Sequence, residues 1–161
     1  MARMEEPTFE PRLVSETDVP QILALVSQVY AEYGQRLNTE EEPWWLTPGT
    51  YFREHGGEFW VIEAEGAVRA TAAVKLEGDH GELKCVYVHR YCRRRGWGRR
   101  LTELAMDHAR RAGMRRFVLW SDTRFLEAHR LYERMGFRRT GFRELHDSND
   151  TKEHGFEMDF T

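Results

Sequence analysis

Cysteine is scarce, with two in 161 residues. Cys85 and Cys92 form neither a CxxC pair nor the framework of a small secreted domain, so both are expected to be reduced thiols in a cytoplasm. No run approaches the roughly 18 apolar residues of a membrane span, and the opening MARMEEPTFEPRL lacks the apolar core of a signal peptide. A soluble protein that stays where it is made is expected, with no membrane partner. An excess of one charge sign is also missing. Lys and Arg number 24 against 27 Asp and Glu, for a formal net charge of -3, although 32% of the chain is charged. That balance argues against a general nucleic-acid coat. There is no HExxH and no Cys/His ligand spacing, so no metal is expected. Repeats, linkers and low-complexity tracts are absent as well. Residues 1–161 therefore read as one domain, long enough to bury roughly two thirds of its unfolded surface without staples.

What is present is periodicity that changes along the chain. TFEPRLV (8–14) reads as a first strand. Thr17 or Asp18 then caps a helix on which Ile22, Leu23, Leu25, Val26, Val29 and Tyr30 recur at helical spacing, ended by Gly34. Residues 35–57 are irregular and aromatic and read mostly as loop. Three strand-like runs, 58–64, 67–76 and 82–88, are separated by Glu65-Gly66 and Gly78-Asp79 turns and predict an antiparallel meander. Leu101, Leu104, Ala105, His108, Ala109 and Ala112 form one stripe of a helix over 98–112 that Gly113 closes. Residues 115–120 read as a buried strand, 121–137 as a helix capped by Asp122 or Thr123, and 137–145 and 155–160 as two last strands. HDSNDTKEHG (146–155) reads as the polar loop between them.

RRRGWGRRL (93–101) packs five arginines around Gly96 and Gly98, after a strand and at the opening of a helix. Backbone N–H groups there are unpaired and the helix dipole is positive, which suits a pyrophosphate. A dinucleotide fingerprint needs a third glycine where this chain has Leu101, and a P-loop needs Gly-Lys-Ser/Thr. Two readings of the loop stay open on spacing alone: an anion cradle, or a glycine-rich turn on a solvated basic face.

Two stretches carry a family resemblance. Arg93, Gly96 and Gly98 meet an Arg/Gln-x-x-Gly-x-Gly/Ala pattern behind the strand ELKCVYV. In AHRLYERMGF (128–137), Ala128, Tyr132, Gly136 and Phe137 meet Ala-x-x-x-Tyr-x-x-x-Gly-Phe. The chain resembles the GNAT family of N-acetyltransferases, strongly from about Glu58 to Phe160. The resemblance implies a mixed, mostly antiparallel sheet with helices on both faces, splayed between its fourth and fifth strands. It also implies acetyl-CoA as co-substrate, contacted by Val86, Tyr87 and Val88 of the fourth strand and by Arg93, Arg94, Arg95, Gly96, Trp97, Gly98 and Arg99 of the loop. One departure stands out, since Phe125 occupies the place where many members carry a cofactor-contacting Asn. The stretch SDTRF resembles a subgroup found behind MarR-type DNA-binding domains, but with about eight residues before the first strand no such partner domain is expected.

The resemblance makes Tyr132 the group that protonates, or hydrogen-bonds to, the departing sulfur, and its phenol would be neutral at pH 7. Glu82, at the start of the fourth strand, is the leading base; alternation would put it on one face with Lys84, Val86 and Val88. Asp122, His89 and His146 are alternatives. Tyr33, Trp44, Trp45 and Tyr51 either line the pocket of a small-molecule or peptide amine acceptor or pack the core. The expected activity is acetyl transfer in a ternary complex, without an acyl-enzyme on Cys85 or Cys92 and with no nucleic acid involved; a homodimer is compatible with it. The competing readings are a CoA-sensing or partner-binding module that does not turn over, and nucleic-acid binding through the arginines.

Overall fold

The computed structural model describes residues 9–160. Seven strands form one sheet, β1 (Arg12–Leu13), β2 (Glu58–Ala64), β3 (Ala67–Glu77), β4 (His80–Val88), β5 (Arg116–Asp122), β6 (Arg138–Glu144) and β7 (Lys152–Asp159), in the order β1-β2-β3-β4-β5-β7-β6. The β4–β5 pair is parallel and all others are antiparallel. Among the described residues there are four α-helices: α1 (Val19–Glu32), α2 (Pro48–Glu54), α3 (Trp97–Arg111) and α4 (Leu126–Arg134).

The helices cover both faces. Ile22, Leu25, Val26 and Val29 of α1 and Phe52 of α2 pack with Phe59, Val61 and Ala73 on one face. On the other, Leu101, Ala105 and Ala109 of α3 and Tyr132 of α4 pack with Ala70, Ala72, Val74, Leu83, Phe117 and Leu119. From Ala70 to Val74 the odd and even residues of β3 thus serve different layers, as strand geometry requires. Pairing of β4 with β5 runs from His80↔Arg116 to Leu83↔Leu119 and ends there, although β4 continues to Val88 and β5 to Asp122. This is the expected splay, and it opens toward the carboxyl ends of both strands.

Several expected boundaries differ. Of the expected first strand, Thr8 lies outside the described residues, and only Arg12 and Leu13 pair with β2, since Pro11 has no N–H to donate. Asp18 stands at the N-cap of α1, as expected, but makes no side-chain bond to that helix; the side-chain cap belongs to Ser15, at the start of a 3-10 turn over Glu16–Asp18. The Ser15 side chain accepts from Thr17 N while Asp18 accepts from Ser15 N at 2.7 Å. The segment 35–57 contains a 3-10 turn at Pro43–Trp45 and then α2, whose first residue Pro48 is pre-set for helix. Helix α4 begins at Leu126, because Asp122 ends β5 and its carboxylate accepts from Arg124 N at 2.9 Å, bending the chain into a turn first. Strand β7 begins at Lys152, three residues before its expected start.

Candidate functional site

The site is built on an irregularity in β4. Ala73 pairs with Lys84 and Thr71 with Tyr87, so both Cys85 and Val86 face Ala72, and Cys85 takes a left-handed φ of 62°. This is a β-bulge, and the extra residue breaks alternation. Glu82 and Lys84, opposite Lys75 and Ala73, point to the α1 face, whereas Val86 and Val88 pack in the α3 layer. The expectation that all four share a face is therefore corrected. Strand β4 offers side chains to both faces where β5 departs.

Two cavities lie along the splay. One, of about 420 Å³, is walled by Val86 to Val88, the arginine-glycine loop and α4. The other, of about 500 Å³, is walled by Glu82, Lys84, Trp44, Trp45, the end of β5 and the β6–β7 loop. Val86, Tyr87, Phe125, Ala128 and Tyr132 line both, so the cavities meet at these residues.

The loop before α3 curls through left-handed conformations at Arg94 (φ 65°) and Gly96 (φ 79°). Arg100 N bonds to Gly96 O, and no side chain caps the helix start. The N–H groups of Trp97, Gly98 and Arg99 thus precede the first intrahelical bond. A Cβ at Gly98 would meet only Leu131 and Val88, at 3.7 and 3.9 Å, so the fold does not require that glycine. Such a Cβ would occupy the cavity, and the cradle suits a pyrophosphate that needs close backbone approach.

The arginines divide among several tasks. Arg93 is clamped, giving two bonds to Glu32 at 2.8 and 2.7 Å and one from Nε to the Val88 carbonyl at 3.1 Å. Its charge holds α1 against the end of β4. Burial pushes the Glu32 carboxyl up, but the Arg93 and Gln28 bonds outweigh it, and the net direction is down. Arg94 is exposed and 4.0 Å from Glu127, and Arg99 pairs with Glu103 at 2.9 Å. Arg95 lies over the Trp97 ring at 5.6 Å and is not among the residues that line the first cavity.

Tyr132 is buried at the junction, and desolvation pushes its phenol above the ordinary value, so it stays protonated. Glu82 faces the second cavity with Lys84 at 3.7 Å. Asp122 and His146 line that cavity too. His89 lines neither; its Nδ1 accepts from Tyr91 N at the start of a 3-10 turn. Of the four aromatics, Trp44 and Trp45 line the second cavity, Trp45 also filling the core at 1% exposure. Tyr33 lines the first cavity, edge-on to Phe125 at 4.7 Å, and Tyr51 packs against Trp44 and His55 away from both. The second cavity also uses residues that no motif marks. Tyr87 donates to Tyr30 at 3.3 Å and Tyr30 to Glu42 at 2.8 Å, while Gln35 reaches Asp122 from 87 residues away. Burial raises the Glu42 carboxyl above its ordinary value. Among the described residues no His/Cys/Asp/Glu group could hold a metal ion.

Comparison with known proteins agrees with this geometry. Residues 19–137 match the model of the Acetyltransferase (GNAT) family. The chain is 31% identical over 133 residues to the uncharacterized N-acetyltransferase YjgM of Escherichia coli (strain K12), covering 78% of this chain and 80% of that protein. In fold it is similar to an acetyltransferase of Streptococcus agalactiae 2603, with TM-score 0.79, 20% identity and coverage of 91% and 96%. It is also similar to yncA of Salmonella typhimurium, solved with its cofactor acetyl-CoA, with TM-score 0.71, 19% identity and coverage of 95% and 94%.

Proposed function

The chain belongs to the GNAT acetyltransferase family, and on that premise we propose that residues 1–161 are one N-acetyltransferase domain. It transfers an acetyl group from acetyl-CoA to a primary amine directly, in a ternary complex. The observation that carries this reading is the meeting of the two cavities at Val86, Tyr87, Phe125, Ala128 and Tyr132. A cofactor entering from the cradle side and an amine from the other would touch there.

Bound in the first cavity, acetyl-CoA supplies an acyl group activated as a thioester. The α3 N-terminus holds the pyrophosphate, and the backbone of Val86 to Val88, free of β5, holds the pantetheine arm. Glu82, directly or through water, takes the proton that the amine must lose. The C–N bond forms as the C–S bond breaks, and the Tyr132 hydroxyl supplies the proton that the sulfur gains. A backbone N–H near Val88 serves the oxygen that becomes negative. Direct transfer is further supported by Cys85, whose thiol burial pushes well up and away from thiolate character. No described helix is long and apolar enough to cross a membrane, in keeping with a proposed cytoplasmic site of action.

The test is thermal. Acetyl-CoA at 100 times its Kd should add about 2.7 kcal/mol of stability, and thiol release should then depend on added amine. An unchanged melting temperature at saturating CoA would defeat the proposal.

A further inference from the structure

The second cavity carries far more negative than positive charge. Glu41, Glu42, Glu82, Asp122, Asp147 and Glu153 line it, against the fixed cations Lys84 and Arg143. Some of these carboxylates are already engaged. Glu153 pairs with Arg143 at 2.8 Å, Asp147 accepts from Thr151 N and Oγ1 at 2.8 and 2.7 Å, and Glu41 accepts from Ser148 N at 2.9 Å.

A second, independent feature lies beside Asp122. The Gln35 side chain is buried, its residue only 6% exposed, and its Nε2 donates to Asp122 Oδ2 at 2.7 Å. Its Oε1 is buried without any donor. Turning the amide over would set that oxygen against the carboxylate, so the orientation is fixed. A buried amide oxygen is ordinarily hydrogen-bonded, and here the missing partner must be a donor. Asp122 is 4% exposed; its Oδ1 accepts from Arg124 N at 2.9 Å and ion-pairs with Arg124 Nε at 3.3 Å, and its Oδ2 accepts from Gln35, which leaves one acceptor site on Oδ2 beside the unpaired Gln35 Oε1 in one wall of the cavity.

The strands give the spacing. Glu82 pairs with Val118, and Asp122 lies four residues further along β5, which is about 13 Å at the usual rise per residue. Trp44, Trp120 and Tyr87 line the space between.

We propose that the acceptor is a linear aliphatic di- or polyamine. Its reacting amino group lies at the Tyr132 junction, and a second ammonium group is held by Gln35 Oε1 and the Asp122 carboxylate. This rests on the N-acetyltransferase reading and names its substrate class. An ammonium group donates to both oxygens at once, and the methylenes between the amines pack on the aromatic walls. An amino acid would bring its carboxylate into a cavity already short of cations, and a monoamine would leave Gln35 Oε1 unpaired.

The experiment measures thiol release at saturating acetyl-CoA with spermidine, 1,4-diaminobutane, n-butylamine and L-glutamate. Spermidine should exceed n-butylamine at least tenfold in kcat/KM, with Gln35→Leu and Asp122→Asn lowering that ratio mainly by raising the spermidine KM. Equal use of n-butylamine, preference for L-glutamate, or an unchanged ratio in both variants overturns the inference while leaving the transferase reading intact. Calorimetric titration of spermidine into the CoA-loaded wild-type chain gives a readout that no variant's folding can confuse. Saturable binding without turnover would support the amine site and defeat the transferase reading. Neither binding nor turnover defeats both.

Discussion

The Thr71 hydroxyl donates to the Cys85 carbonyl at 2.7 Å, across the point where β3 and β4 fall out of register. Thr71 is fully buried, and the bond satisfies a carbonyl that the bulge has removed from the strand ladder. The bulge is thus held by one side chain of the neighbouring strand, and with it the crossing of β4 from one face to the other.

Thr71→Val keeps the shape and removes the hydroxyl, leaving a buried carbonyl without its donor. The expected loss is about 1–3 kcal/mol of stability, read from denaturant midpoints. CoA should also bind more weakly in calorimetry, because Val86 and Val88 follow directly on the bulge. A variant as stable as wild type with unaltered CoA affinity would show that the bulge holds itself.

The two loop glycines should fail differently. Gly96→Ala forces a Cβ onto a φ of 79°, for roughly 1–2 kcal/mol, and should lower the melting temperature. Gly98 sits in ordinary helix with room for a Cβ, and valine is the better helix former of the two, so Gly98→Val should cost the fold little. Its side chain enters the cleft, and CoA affinity should fall much further than in Arg100→Ala. The order of CoA affinities, measured by titration, checks the cradle.

Tyr132→Phe and Glu82→Gln probe the chemistry. Each should lower kcat by about 10²-fold or more, the scale of general acid–base catalysis, while CoA binding stays near the wild-type value. A Tyr132→Phe enzyme of full kcat would remove the phenol from the proton path to sulfur.

Glu32 gives a pH test. Its folded value lies below the ordinary one, so the Arg93 pair contributes its stability in full above about pH 4.5 and loses it as pH falls through the folded value. The stability gap between wild type and Glu32→Gln should therefore be present at pH 7 and close in acid. A gap that stayed constant down to pH 2 would mean that the pair does not couple to folding.

The sequence by itself determined a good deal. Periodicities of 2 and 3.6 located β2 to β5, α1 and α3, because those signals come from single faces buried against one layer. The spacing of Gly96 and Gly98 between strand and helix, with the register of Ala128 and Tyr132, pointed to the family that the comparisons show and to the residues proposed for the cofactor. What remained illegible depends on contacts between distant segments. The bulge at Cys85 needs Thr71, fourteen residues earlier, and no local pattern marks a non-glycine residue at positive φ. The 3-10 turn that Ser15 caps ahead of Asp18 and the turn at Asp122 that delays α4 were not legible, because Ser15, Thr17 and Asp18, like Asp122 and Thr123, are all competent caps, and which one bonds to the backbone is set by where the strand ends. The second cavity is the extreme case, since Gln35, Glu42, Lys84, Asp122 and Glu153 share no motif and come together only when β5 leaves β4. Side-chain chemistry can be read along a chain. Which face a strand residue serves after a bulge, and which distant carboxylates share a cavity, are decided by tertiary packing alone.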